Sequence, residues 1–399
     1  MLLALALLYA AQGVPFGIAS EYLPVALRQQ HYSLGMIAAV GWLQLPWYLK
    51  VLYAHVADRP EIRPISRQVL LVLQFALFVV LTGFAIHSFA EAPRLWFVLT
   101  FLAALFASTQ DIFVDSLAVR ALAASQRGFG NTAQIAGYRL GMLAGGAGLL
   151  LLIAPLGSRR AVLVCSSFVL VTAVCAFALR DTGGESEAPT SRAERRLAAR
   201  ALFKHMVSAA ARPVVLLALT YKLGLHMAAF LIKPIVVDAH WTETEIGYAV
   251  VTAGTTAGLV GAVAGGALHR LVHERKALAF GAVIQSLVCV PLWFAHALGA
   301  PHGWTTAAIV AEHFVTGVGT TVLFAALMSA TRKSDAGLHY TLLTSANAVA
   351  IGVGSTLGGL LADRLGKGAV LAIAAILCLA PLYLVTKWDG AMKASADEP

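Results

Sequence analysis

Twelve stretches of about twenty mostly apolar residues run the length of this chain, each long enough for an α-helix to cross a bilayer. They fall at 2–27, 33–55, 68–89, 95–119, 132–153, 160–179, 213–237, 244–268, 276–298, 304–330, 339–361 and 368–386. Hydrocarbon offers a backbone N–H or C=O no water to bond with, so segments of this kind are confined to helices packed on helices. Composition agrees, since only 12% of the 399 residues are charged, against about 25% in a soluble domain. The mean hydropathy is +0.78. The expectation is an all-α polytopic membrane protein with 12 transmembrane helices. The opening run has no basic leader and leads directly into a second span, so it reads as the first helix rather than a cleaved signal.

A net charge of +9 would suit a nucleic-acid partner, but no basic patch with interleaved aromatics is present and none is expected. The basic residues lie instead in the loops. With both termini placed in the cytoplasm, the inner loops hold 19 Lys and Arg and the outer loops six, the bias that orients membrane proteins. Cys165, Cys175, Cys289 and Cys378 all sit in apolar runs, without metal-ligand or disulfide spacing. No metal and no cofactor are expected.

The longest polar interval divides six helices from six. Its first part is Asp181-Thr-Gly-Gly-Glu-Ser-Glu-Ala-Pro189, followed by an Ala/Arg/Leu-rich stretch suited to a basic surface helix. The domains expected are an N-terminal bundle at 1–180, a cytoplasmic linker at 181–212, a C-terminal bundle at 213–387 and a cytoplasmic tail at 388–399. The halves echo one another: Tyr9 with Tyr221, Ile37 with Ile246, Arg59 with Arg270, Gly128 with Gly337 and Gly145 with Gly354, at offsets of 209 to 212 residues. Two six-helix pseudo-repeats with both ends inside are the layout of the major facilitator fold, whose solute site lies near the midplane.

Ionisable groups within such spans are costly, and they mark pathways for ions or solutes. Asp111 and Asp115 stand one turn apart on one helical face, which suits the pair to exchange a proton near neutral pH. Arg139, in the following helix, lies at the same depth as Asp111, about 12 to 14 Å from the inner ends at 1.5 Å per residue. Two readings stand: a permanent clamp between helices, or an ion pair released on protonation. For Asp115, nearer the inner surface, partners at Arg59 or Arg127 are also open. Lys50 is near an inner helix end, where snorkelling explains it.

In the first helix, Gln12-Gly13-Val14-Pro15-Phe16-Gly17 combines a lost backbone donor with loose turns, so a kink at mid-membrane is expected. Groups freed there can bind solute. Glu21 serves either as an outer gate with Arg28 or simply reaches interfacial water. Lys222 lies too deep to snorkel, with His226 one turn on, and Glu312 in the tenth span is its natural partner. The solute contact and the structural pair are both open for Lys222. No ATP-binding loop, H-E-x-x-H or G-x-S-x-G occurs, so no enzyme is expected. A membrane-embedded transferase with Asp111 as base is the remote alternative, though its polar residues should cluster on one surface loop.

The runs Thr109-Gln110-Asp111-Ile112 to Asp115, Arg127-Gly128 and Gly137-Tyr138-Arg139-Leu140-Gly141-Met142 resemble a branch of the major facilitator superfamily. That branch comprises muropeptide permeases, acetyl-coenzyme A transporters and rhizobactin and pyochelin siderophore permeases. Ala11 to Gly17, Leu45-Pro46-Trp47 with Lys50, and Asp58-Arg59 extend the resemblance over residues 8–150. It implies proton-driven import of a small solute by a monomer in the bacterial inner membrane. Asp58 and Arg59 would then belong to a gating loop, although the basic pattern after them, only Arg63 and Arg67, is sparser than in the family. Gln12, Pro15, Gln110, Tyr138, Lys222 and His226 would be cavity candidates, while Asp111, Asp115, Arg139, Glu21 and Glu312 would be coupling or ion-pair candidates. Muropeptide permeases in this branch resemble longer chains, which favours a siderophore-like solute, with muropeptide or acetyl-coenzyme A as the alternative.

Overall fold

The computed structural model describes residues 2–53, 61–121, 127–173, 208, 211–330 and 336–388. Asp58, Arg59, Cys175, nearly all of the expected linker and the tail beyond Trp388 lie outside the described residues. The rest is helical. In chain order the rods are α1 (Leu2–Gln29), α2 (34–53), α3 (Ser66–Gly83), α4 (Pro93–Ala121), α5 (127–156) and α6 (Ser158–Ala173). They continue as α7 (Arg212–Asp238), α8 (Glu243–Leu271), α9 (Glu274–Ala297), α10 (His302–Ser329), α11 (Ala336–Leu365) and α12 (Lys367–Thr386). Ten of these, all but α2 and α6, have the length and apolar content to cross a membrane among the described residues.

The chain divides into two compact units. Unit 1 contains Met1–Tyr32, Ala39–Ala188 and His240–Thr252; unit 2 contains Ser33–Ala38, Pro189–Ala239 and Ala253–Pro399. In unit 1, Leu5, Leu8, Leu70, Phe113 and Leu117 form one buried apolar cluster. In unit 2 the corresponding core gathers Leu217, Tyr221, Leu278, Val322, Leu327 and Trp388. Ser33–Ala38, the start of α2, is held in unit 2 by Asp363 at the end of α11. This carboxylate accepts the N–H of Leu34 at 2.8 Å and of Gly35 at 2.7 Å, satisfying two of the donors a helix start leaves open.

Glycine sets the tightest packing. A Cβ on Gly137, Gly141 or Gly145 of α5 would lie 2.0, 1.9 or 2.0 Å from the carbonyl oxygens of Ala6, Ala10 and Val14 on α1. Three glycines spaced four residues apart thus bring the two backbones together without a side chain between them, a contact that small residues permit in membrane bundles. In unit 2, a Cβ on Gly354 or Gly358 of α11 would lie 2.6 or 2.8 Å from the Leu223 and Met227 carbonyl oxygens of α7. Gly145 with Val14 and Gly354 with Leu223 are the same contact displaced by 209 residues. Backbone angles repeat at that displacement too: His31 and His240 share a φ of 59°, while Gly157 and Gly366 have 76° and 82°. A left-handed angle at a histidine is uncommon, and finding it at both corners argues for duplication of one unit.

The kink expected at Pro15 takes another form. Helix α1 runs through Pro15 and widens into a π-helical turn at Ile18–Tyr22. The Ser20 hydroxyl bonds the Phe16 carbonyl at 2.8 Å there, replacing part of the displaced ladder.

Candidate functional site

In unit 1 the polar side chains converge on the C-terminal part of α4. Asp111 is almost completely buried, with 4% of its side chain exposed, and its Oδ2 is bound by the Lys50 ammonium from α2. Lys50 also lies over the Trp47 ring, 5.1 Å from its centre. One turn along α4, Asp115 accepts the Tyr9 hydroxyl of α1 at 2.7 Å and the Gln134 amide of α5 at 3.1 Å, both on Oδ1. Four helices therefore meet on two carboxylates. The cluster has two acids and one cation, so a single proton brings it to neutrality.

Lys50 is the partner that depth alone did not select. A third of its side chain is exposed, whereas that of Asp111 is buried. Arg139, expected opposite Asp111, forms no ion pair with it among the described residues. The reason is azimuth. Gly137 and Gly141 face α1, and Arg139, two residues from either, is turned about 200° away at roughly 100° per residue. Snorkelling is likewise corrected, because Lys50 reaches inward to a carboxylate.

Tyr138 meets Phe16 in a tilted contact and Trp47 edge to face, with ring centres 5.5 and 5.7 Å away. Gln110 donates to the Leu8 carbonyl at 3.3 Å, while its Oε1 has no partner among the described residues. Gln12 is fully buried, and neither of its amide atoms finds a partner there. Glu21 accepts the Ser20 hydroxyl at 3.3 Å; Arg28 donates to the Tyr32 carbonyl at 3.1 Å. Tyr9, Lys50 and Gln134 are members that sequence reasoning passed over. A signal existed for Lys50, which follows Trp47 by three residues and so shares its helical face.

In unit 2, Lys222 does not bridge to Glu312. Its ammonium donates to the Thr316 carbonyl at 3.1 Å, and Glu312 takes the Thr316 hydroxyl at 2.7 Å and His313 Nδ1 at 2.9 Å. His226 stands one turn beyond Lys222 on α7, half-buried. Among the described residues no group of three or more His, Cys, Asp or Glu side chains is arranged to hold a metal ion.

The Tyr9 bond yields a direct check on this geometry. Tyr9→Phe removes one of two donors to Asp115 and should lower stability by about 1.5–3 kcal/mol, the range for a hydrogen bond to a charged group. Melting in detergent would measure it. An unchanged midpoint would mean that Gln134 alone satisfies Asp115.

Helices of this length carrying buried charges define an integral membrane transporter. The sequence profile of the Major Facilitator Superfamily matches residues 1–338 and 214–393, so the chain belongs to that family. It is a transporter rather than an enzyme. It is 24% identical over 388 residues to the putative transporter AmpG 4 of Rickettsia conorii, covering 94% of this chain and 92% of that one. It is 27% identical over 348 residues to the anhydromuropeptide permease of Escherichia coli K12, covering 85% and 70% of the two chains. Among solved structures, the POT family transporter PepTSo superposes with a TM-score of 0.70 at 11% identity, over 98% of each chain. The xylose transporter XylE of Escherichia coli gives 0.67 at 11% identity, over 96% of this chain and 94% of that one. At such identities these two structures speak for the fold alone.

Proposed function

We propose that this protein is a proton-driven importer of a muropeptide-like solute in the bacterial inner membrane. It acts as a monomer of twelve spans, with both termini and the 181–212 linker in the cytoplasm and the bundles at 1–180 and 213–387. The observation that carries proton coupling is the cluster of Asp111, Asp115 and Lys50, one proton short of neutrality, with Lys50 one-third exposed. Protonation would release Lys50 from Asp111, and the freed ammonium and the aromatic wall of Phe16, Trp47 and Tyr138 then face the solute. The amide of Gln12, without a partner among the described residues, supplies further hydrogen bonds, since a buried amide gains from any donor or acceptor brought to it.

Relatives named AmpG support the muropeptide reading over the siderophore expectation. That expectation leaned on chain length, yet this chain spans 92% of the Rickettsia conorii relative, so a short chain does not argue against a muropeptide solute. Uptake decides. Everted or intact cells expressing the protein, offered labelled anhydromuropeptide, ferric siderophore and acetyl-coenzyme A, should accumulate the first alone and lose it on adding a protonophore. Accumulation of the ferric siderophore instead would restore the other reading.

A further inference from the structure

Unit 2 holds a second set of buried ionisable groups that the Asp111 cluster does not use. Helix α7 is interrupted at Tyr221 and Lys222, between helical stretches Arg212–Thr220 and Leu223–Asp238. There Lys222 is 1% exposed. An ammonium has three donors, and that of Lys222 has one hydrogen-bond acceptor, the Thr316 carbonyl, with no carboxylate within 4 Å among the described residues. Glu312, one turn before Thr316 on α10, is 2% exposed. Its Oε1 takes the Thr316 hydroxyl and its Oε2 faces His313 Nδ1. One threonine therefore holds the acid by its hydroxyl and the base by its carbonyl, and the two charges do not touch.

Leaving a buried acid and a buried base unjoined costs more than joining them. That cost disappears when a proton resides on the acid and none of excess on the base, an exchange that needs a route to water. His313 is the exposed member of this group. Its side chain is 26% exposed, and its Nδ1 lies 2.9 Å from Glu312 Oε2 and 3.0 Å from the Ile309 carbonyl, so a proton on Nδ1 has two acceptors. A proton taken up at Nε2 can thus be matched by one passed from Nδ1 to Glu312. The other titratable groups facing this site are His226 on α7, Cys289 on α9, whose thiol donates to the Gln285 carbonyl at 3.4 Å, and Cys378 on α12.

We propose that Glu312, relayed by His313 and linked to Lys222 through Thr316, is a second proton-exchange site, independent of Asp111. It rests on the reading of the protein as proton-driven, and its first test needs no solute. Infrared titration of the purified protein should show, among its carboxylic-acid bands, one that is absent in Asp111→Asn and a second that is absent in Glu312→Gln. Thr316→Val, which keeps the carbonyl and removes the hydroxyl, should shift the second band and leave the first in place, and it serves if Glu312→Gln does not fold. In uptake, the number of protons carried per solute should fall by one in Glu312→Gln. A second band that survives Glu312→Gln, or that ignores Thr316→Val, overturns the proposal. Should the wild type accumulate none of the three solutes, the functional reading fails while the infrared result still decides this site.

Discussion

Asp111→Asn should stop accumulation of solute against a gradient and leave exchange of solute between the two sides of the membrane in place. On the proposed coupling, a side chain that cannot titrate leaves the ion pair beyond the reach of a proton, so binding should persist while its link to the proton gradient is lost. The measurement is uphill uptake beside counterflow in proteoliposomes; full uphill uptake by the variant would remove Asp111 from the coupling role. Stability tells the same story from another side. Removing one partner of a fully buried pair costs roughly 3–5 kcal/mol. The loss here should be smaller, because a third of the Lys50 side chain is exposed. Lys50→Gln together with Asp111→Asn should regain most of that stability and none of the uphill transport, a separation that a purely structural pair would not produce.

Gly141→Val prevents the protein from reaching the membrane in folded form. Its Cβ would stand 1.9 Å from the Ala10 carbonyl oxygen and 2.8 Å from the Gly13 Cα, and both obstacles are backbone. Overpacking a core costs typically about 1–3 kcal/mol where side chains can give way. Here nothing flexible stands in the way, so the loss should exceed that range. Gly41→Ala is the control, since no atom lies within 4 Å of its Cβ position. It should be neutral or gain up to about 1 kcal/mol from the reduced freedom of the unfolded chain. Yield and melting midpoint of the two variants check the pair, and equal behaviour would refute the packing argument.

Hydropathy located the helices because burial in lipid is decided residue by residue along the chain. The partner of Asp111 was a different kind of question. Residue counting gives the height of a side chain in the membrane; it does not give the direction in which the helix presents it, and Arg139 failed on direction while matching in height. The same limit explains Lys222 and Glu312. They are at compatible depth in one unit, yet Thr316 stands between them, and a pattern of charges cannot reveal a carbonyl. Asp363 was invisible for another reason. In Asp363-Arg364 at a helix end it looks like an ordinary loop charge, and its role depends on a helix start 329 residues away. The duplication left a trace at offsets near 209, but abundant Ala and Gly blurred it. The unusual angles of His31 and His240 carry the signal that letters alone diluted.

The glycine contacts have a mechanical consequence for unit 1. With backbone against backbone at three successive turns, α1 and α5 have no cushion of side chains over which to slide, so they behave as a single plate. That plate grips Asp115 from both of its members, through Tyr9 and Gln134, whereas Asp111, one turn away on the same helix, is tethered to α2 by Lys50. Helix α4 is therefore the crossbar between a stiff plate and a lone strut. A proton on Asp115 would slacken its hold on the plate, a proton on Asp111 its hold on the strut, and which joint yields first sets the direction in which the unit bends.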